Sequence, residues 1–213
     1  MICNYKKIDS IIDFRNRKDQ IGVLERKVPN GSDSFFQKLY QFPFSVSGKV
    51  KKNNAKEDIK TLLKFQIPEN IQYDPFYENW LIDMSKICKM FCKMQADSSI
   101  SFWLGSQRGC KRFHVDMVPF RLLVTYAGKG TELLPNEAAD RNAFLKGKSN
   151  KQIVKDKTAI TYLNIWDISV FRGGYDGILH RTPDSALDGS SSILMRLDNK
   201  SFLEEIMKIN GAA

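Results

Sequence analysis

The stretch CKRFHVDMVPFRLLVTY, residues 110–126, decides the fold that this sequence predicts. It holds two short runs rich in β-branched and aromatic residues, Arg112–Asp116 and Phe120–Tyr126, and such runs are typical of strands. Five further runs of this kind are predicted after Ser98: Ser99–Leu104, Ile160–Tyr162, Ile168–Phe171, Ile178–Arg181 and Ser192–Leu197. Short strands at this frequency, separated by glycine-containing turns, indicate a sandwich or barrel of the jelly-roll type.

The half of the chain that precedes these runs is predicted to be mainly helical. Its clearest helix, Asp74–Met94, has Pro75 in the first turn and apolar residues at helical spacing. Further elements are predicted as a strand at Gln20–Val28, a helix after Ser32, a helix at Asn53–Phe65, a turn at Asp188-Gly189 and a closing helix at Ser201–Ile209. The predicted fold is therefore α+β, with a helical layer of residues 1–97 packed on a β-barrel of residues 98–213.

Composition narrows the class of protein without choosing a partner. The chain has 42% hydrophobic and 27% charged residues, which is ordinary for a globular protein, and no apolar run is long enough to cross a membrane. The first residues lack the apolar stretch of a secretory signal, so a cytoplasmic location with reduced cysteines is expected. The net charge of +9 also fits a nucleic-acid partner, although no DNA-binding or RNA-binding motif supports one.

The only two histidines of the chain are the strongest candidates for chemistry. His114 and Asp116 are two residues apart on a predicted strand, so their side chains share one face. His180 lies on a later predicted strand. Two imidazoles and one carboxylate form the facial triad of non-haem Fe(II) oxygenases. Each residue alone is more often structural, but their combination in a β-barrel favours a metal site.

These residues also carry a resemblance to a known family. The segments Cys110–Asp116, Arg121–Tyr126, Gly130-Thr131-Glu132 and Gly177–Pro183 resemble domain-of-unknown-function family 1826, a family of uncharacterised bacterial proteins. More distantly, their order is similar to that of the cupin and 2-oxoglutarate/Fe(II) dioxygenase superfamily, with Phe171 shortly before the distal histidine. This resemblance implies a double-stranded β-helix with His114, Asp116 and His180 as the metal ligands.

The cosubstrate that the dioxygenase resemblance implies is 2-oxoglutarate. In those enzymes a basic residue beyond the distal histidine binds its far carboxylate, but here the matching position falls within Gly189–Ser192. The first later basic residue is Arg196, and Arg121 or Arg181 could substitute. Because an arginine grips a carboxylate through two parallel hydrogen bonds, a shifted position changes that contact. A plain ion pair between Arg196 and Asp198 fits the sequence equally well.

Five other residues are expected to have mainly structural roles. Thr125 and Tyr126 could hydrogen-bond a bound carboxylate, although such residues in strands ordinarily pack. Cys110 could add a sulfur ligand and favour zinc, although a small buried hydrophobe is its usual role. Arg181 is expected in a structural ion pair, and Trp103 is expected in the core.

Three functions remain open from the sequence. The leading hypothesis is an Fe(II)-dependent oxygenase, with 2-oxoglutarate as the implied cosubstrate and an unidentified small-molecule or protein substrate. The alternative is a cupin-like zinc-binding or iron-binding protein that handles or senses metal without turnover. A third, weaker hypothesis is a basic nucleic-acid-binding domain in which both histidines are structural.

Overall fold

The chain forms an α+β structure in which a helical layer and a small sheet cover opposite faces of a large sheet. The computed structural model describes residues 1–187, 192–203 and 205. Within them the strands are β1 (Ile2–Tyr5), β2 (Ile21–Leu24), β3 (Ser45–Lys51), β4 (Ser99–Gly105), β5 (Phe120–Ala127), β6 (Glu132–Leu134), β7 (Thr161–Tyr162), β8 (Ile168–Arg172), β9 (Leu179–Arg181) and β10 (Ile193–Asp198). The helices are α1 (Ser32–Leu39), α2 (Ala55–Leu63), α3 (Glu69–Gln72), α4 (Pro75–Gln95), α5 (Arg141–Leu145) and α6 (Asn150–Ile153). Short 3-10 helices lie at Ile8–Asn16, Lys52–Asn54, Asn136–Ala138 and Asp184–Ala186.

Helix α4 is the main element of the helical layer, as the sequence predicted. Asp74 caps its start by accepting a hydrogen bond from the backbone N–H of Phe76, and Pro75 occupies the first turn. The helix ends where Ala96 adopts a left-handed backbone conformation. Its apolar side chains join the largest core cluster together with residues of the large sheet, so α4 covers one face of that sheet. None of the described helices combines the length and apolar character needed to cross a bilayer.

The large sheet has seven described strands in the order β1-β2-β8-β5-β10-β4-β3. β1 and β2 pair in parallel, and the other described neighbours pair antiparallel. Strands β1, β2 and β3 come from the first 97 residues, so this half of the chain supplies both edges of the sheet as well as the helices. The predicted strand at Gln20–Val28 corresponds to β2, whereas β1 and β3 had no counterpart in the prediction. The division at residues 97 and 98 stays a prediction.

Alternation along the central strands separates a core face from a site face. On β5, Val124 belongs to the main core, whereas Arg121 and Leu123 point toward the small sheet. β10 alternates in the same way. Met195 belongs to the main core, whereas Leu194 and Arg196 point away from α4. The two neighbouring strands therefore present their polar residues to one shared space.

The small sheet has the described order β7-β6-β9 and closes that space from the other side. Leu133 of β6 packs with residues of the large sheet, and Leu134 and Leu179 pack on the outer side near α5 and α6. A single bridge between His114 and His180 adds one more chain segment beside β9.

The predicted strand Arg112–Asp116 is wrong apart from His114 itself. The backbone N–H of Phe113 donates to the side chain of Asn150, and the carbonyl of Asp116 accepts from Gly174, so neither group is available for a strand ladder. Strand β6 had no counterpart in the sequence prediction. The turn at Asp188-Gly189 lies outside the described residues, and so does most of the predicted helix Ser201–Ile209.

Candidate metal centre

The three predicted ligands lie together in the space between the two sheets. One ligand atom from each of His114, Asp116 and His180 falls within 4.8 Å of the others. His180 is on β9, and His114 faces it through two backbone hydrogen bonds of 3.0 Å, which bring the ring centroids to 4.4 Å. Asp116 follows two residues later on the same side. Backbone pairing thus sets the distance between the two imidazoles.

Each imidazole is held in one tautomer by a backbone carbonyl. Nδ1 of His114 lies 3.0 Å from the carbonyl oxygen of Arg112, and Nδ1 of His180 lies 3.0 Å from that of Ile178. Because a carbonyl oxygen only accepts, Nδ1 carries the hydrogen in both rings and donates it. In the neutral form of either ring, Nε2 is then a lone-pair donor to a metal, which is the arrangement that metal-binding histidines adopt.

The carboxylate of Asp116 has one oxygen that is partnered and one that is not. Oδ1 accepts a hydrogen bond from Arg121. Oδ2 is buried without a hydrogen-bond donor among the described residues and lies 3.5 Å from Nε2 of His180. Burial is the main reason that the pKa of His180 falls to about 4, with His114 acting in the same direction and Asp116 opposing it. At neutral pH His180 is uncharged, so this contact is no ion pair.

When both rings are neutral, three lone-pair donors converge without a proton between them. A buried carboxylate oxygen that lacks a partner is costly, and two neutral nitrogens beside it do not relieve that cost. A divalent cation would satisfy all three atoms at once. The donor set, two imidazole nitrogens and one carboxylate, fits Fe(II) or zinc.

Arg121 connects this cluster to a second pair of charges. Its Nε donates to Oδ1 of Asp198 at 2.7 Å while its terminal nitrogen binds Asp116. Nε of Arg196 lies 3.0 Å from the other oxygen of Asp198. Arg121 is thereby committed to two carboxylates and orients Asp116, whereas Arg196 shares a single carboxylate with it.

A cavity of about 290 Å³ opens beside the three candidate ligands. It combines apolar side chains with a group of arginines, and its lining residues include Trp103, Arg108, His114, Arg121, Leu123, Thr131, His180, Leu194 and Arg196. Trp103 was expected in the core. It instead lies in the cavity wall and is only partly buried, because the alternation of β4 turns it away from α4.

The structure does not bring Tyr126 to the site. Its side chain is in the main core and its hydroxyl donates to Asp83, because it shares a strand face with the apolar residues of β5. Thr125 is on the site face, but it lies farther along β5 than Leu123 and does not line the cavity. The predicted contacts of these two residues with a bound carboxylate are therefore not supported.

Cys110 departs from its predicted role, whereas Arg181 agrees with it. Cys110 is exposed rather than a buried hydrophobe, has a positive φ of 62° and lines the cavity, yet it does not belong to the described ligand cluster. Arg181 forms ion pairs with Glu132 and Asp184, so its predicted structural role is confirmed.

Sequence reasoning missed Arg108 as part of the site. This arginine lies in the irregular segment after β4, where no periodic pattern indicates which way a side chain points. Asp198 was named only as a partner of Arg196, and its link to Arg121 was not foreseen. The sequence did contain part of this information, because alternation places Asp198 on the same face of β10 as Arg196.

Comparisons with known proteins extend the family resemblance along the chain. Residues 6–198 match the family described as "Protein of unknown function (DUF1826)". No curated protein matches the chain. A candidate oxygenase from Shewanella oneidensis shares 13% identity at a TM-score of 0.45, covering 100% of this chain and 99% of its own.

Two further solved structures show weaker likeness. The Fe(II)/α-ketoglutarate-dependent dioxygenase TqaL shares 9% identity at a TM-score of 0.43, over 91% of this chain and 87% of its own. The dioxygenase for auxin oxidation 1 from Arabidopsis thaliana shares 7% identity at a TM-score of 0.40, over 93% of each chain. At these TM-scores the function has to be argued from the site itself.

Proposed function

The chain belongs to the DUF1826 family, whose function is unknown, and from its candidate metal centre we propose that it is an Fe(II)-dependent oxygenase that uses 2-oxoglutarate. One observation carries the proposal. His114, Asp116 and His180 direct three lone-pair donors at one point beside a cavity, with the buried Asp116 oxygen left unpartnered.

We further propose that the two sheets form a double-stranded β-helix. The strand order supports this: β4, β5, β8 and β10 belong to the large sheet, and β6, β7 and β9 to the small one. The segment at His114 pairs with β9 and takes the place of an eighth strand. The chain thus passes repeatedly between two facing sheets, as in a jelly roll.

In this proposal the three ligands occupy one face of the metal and leave the opposite face to the cavity. The bound ferrous ion would supply the activation of O2. Arg121 orients Asp116 by donating a hydrogen bond to it, and the backbone carbonyls keep both imidazoles in the ligand tautomer. Phe171 packs against the ring of His180 at 4.5 Å and restricts water on that side.

Arg196 is the best of the three candidates for binding the far carboxylate of 2-oxoglutarate. Arg121 is committed to two carboxylates, and Arg181 is committed to Glu132 and its neighbour Asp184. Among the described residues, Asp198 meets Arg196 at its Nε, and Arg196 lines the same cavity as the candidate ligands. The ring of Trp103 lies 5.6 Å from this guanidinium and supports its plane.

The metal-handling alternative has less support. It relied on a sulfur ligand from Cys110 and on the lack of a suitable arginine. Cys110 is outside the described cluster, and Arg196 on β10 lines the cavity although it comes later in the sequence than expected. A site that leaves one face open to a cavity also favours turnover over storage.

An anaerobic titration of the chelator-treated protein with Fe(II), with and without 2-oxoglutarate, tests the proposal. We expect one Fe(II) per chain and a visible charge-transfer band that requires 2-oxoglutarate. His114→Ala should abolish both, and Arg196→Gln should keep Fe(II) binding while weakening 2-oxoglutarate by roughly tenfold or more. Cys110→Ala, which changes a cavity residue outside the cluster, is the matched control and should behave as the wild type.

Two outcomes contradict the proposal. Unchanged metal binding in His114→Ala would remove the ligand assignment. Stoichiometric zinc without any band, reduced by Cys110→Ala, would instead support the metal-handling alternative.

A further inference from the structure

Arg108 is the one arginine of the cavity wall that lacks an acidic partner among the described residues. Its terminal nitrogens donate to the backbone carbonyl of Lys129 at 2.5 Å and to Oγ1 of Thr131 at 3.1 Å. Both acceptors are uncharged. Its Nε is buried without a hydrogen-bond partner among the described residues. The guanidinium is thus fixed in place, but its charge is not balanced.

The other arginines that line the cavity are each balanced by a carboxylate. Arg121 and Arg196 share Asp198, and Arg181 binds Glu132. Because burial of a charge without a counter-charge is unfavourable, an unpaired arginine in such a place calls for an explanation. Burial of Arg108 lowers the pKa of its guanidinium to about 10.

The groups of the proposed oxygenase site do not use Arg108. One end of 2-oxoglutarate would meet the metal and the other would meet Arg196, so both carboxylates of the cosubstrate would be satisfied without it. Arg108 lines the same cavity as His114 and His180, and it is anchored on the connection between β5 and β6. Arg108 is therefore available to bind a second ligand in the same cavity.

We propose that Arg108 binds an anionic group, a carboxylate or a phosphate, on the substrate of this site. The inference rests on the proposed oxygenase function and deepens it by giving the substrate a charge. An anion would complete the unpaired Nε and balance the guanidinium, and arginine recognises both oxyanions through paired hydrogen bonds. The apolar side chains of Leu123, Leu194 and Trp103 in the same wall fit a substrate with an apolar portion.

The size of the cavity limits that substrate. A volume of about 290 Å³ is near the lower end of ligand pockets. It suits a small molecule, or a single side chain of a larger one, beside the cosubstrate. Probes with one ring and one charged group are therefore appropriate.

Binding of three probes to the Fe(II)- and 2-oxoglutarate-saturated protein under anaerobic conditions tests the proposal. Phenylacetate and phenyl phosphate carry the two kinds of anion, and phenylacetamide is their neutral counterpart. Tryptophan fluorescence reports binding because Trp103 lies in the wall. We expect the better anion to bind at least roughly tenfold more tightly than the amide, and Arg108→Gln to remove that difference.

Three variants serve as controls. Lys129→Gln removes a nearby exposed charge whose side chain lies over Tyr162 and does not line the cavity, so it should leave anion binding unchanged. Arg108→Lys keeps the charge without the planar fork and should retain part of the affinity. Arg196→Gln should weaken 2-oxoglutarate and spare the probes, whereas Arg108→Gln should spare 2-oxoglutarate. Thermal unfolding of each variant verifies that it is folded.

The outcomes separate this inference from the proposed function. Equal anion affinity in wild type and Arg108→Gln would overturn the inference, and so would a wild type that binds neither anion. A loss of 2-oxoglutarate affinity in Arg108→Gln, with probe binding intact, would make Arg108 a cosubstrate residue instead. Absence of the charge-transfer band in the wild type would refute the oxygenase while leaving Arg108-dependent anion binding measurable in the metal-free protein.

Discussion

Lowering the pH should destabilise the metal-free protein through His180. This imidazole is 3% exposed. Its burial is the main reason that its pKa is lowered from the ordinary 6.5 to about 4. In the unfolded chain the ring takes up a proton near its ordinary pKa, whereas in the folded protein it stays neutral until far lower pH. The unfolded state therefore binds more protons between these two values, and stability falls as the pH falls through this window.

The two pKa values fix the size of the effect. At about pH 5 the unfolded chain is largely protonated at this position and the folded protein is largely not, which corresponds to a loss of about 2 kcal/mol relative to about pH 7. The nearby carboxylate of Asp116 reduces the effect, since it favours the charged ring, and His114 increases it. The loss should be complete below the folded pKa of about 4.

Urea denaturation of chelator-treated protein at a series of pH values measures this term. His180→Gln cannot titrate, so the difference between the two pH profiles isolates the imidazole from the carboxylates that also titrate at low pH. The wild type should lose about 2 kcal/mol more than the variant between about pH 7 and pH 5. Parallel profiles would show that His180 titrates normally and that its burial does not lower its pKa.

Three other predictions concern residues around the site. Tyr126→Phe should lower the free energy of unfolding by about 1–3 kcal/mol and leave 2-oxoglutarate affinity unchanged, and a fall in affinity at constant stability would return the tyrosine to the site. Gly173→Ala should destabilise the fold and weaken Fe(II) binding, since a Cβ there would lie 1.8 Å from the carbonyl oxygen of Val118; wild-type values for both would contradict this. Arg181→Gln should cost roughly 3 kcal/mol in urea denaturation by leaving the buried Glu132 unpaired, while Fe(II) stoichiometry stays at one per chain.

The candidate ligand cluster was accessible from the sequence because it depends on local spacing and on a scarce residue type. His114 and Asp116 share a side whether their segment is a full strand or a single bridge, so the error over residues 112–116 did not move them. The predicted family is confirmed over residues 6–198, and the α+β class is confirmed as well. Helix α4 was equally clear, since its cap, its proline and its apolar spacing agree.

Other parts of the site depend on information that a sequence carries only weakly. The misplacement of Tyr126 was avoidable, because it shares strand parity with Leu122 and Val124, which mark the core face. The role of Arg108 was not accessible, since an irregular segment has no parity to follow. Arg196 was doubted because it lies farther along the chain from His180 than the basic residue of the dioxygenases does. Its position in space is instead set by the register of β10 against β5.

The candidate ligands are positioned by the backbone more than by side-chain packing. Two mutual hydrogen bonds join His114 to His180, each ring is fixed by the carbonyl two residues before it, and Gly174 binds the carbonyl of Asp116. Replacing a ligand side chain removes none of these backbone hydrogen bonds, so ligand variants should lose metal while the surrounding sheets persist. The same arrangement keeps one ligand atom of each of the three residues within 4.8 Å of the others, and one oxygen of Asp116 has no hydrogen-bond partner among the described residues. The unfavourable burial of that carboxylate is thus a cost of the metal-free protein, and a cation that removes it gains affinity from a site that needs little rearrangement.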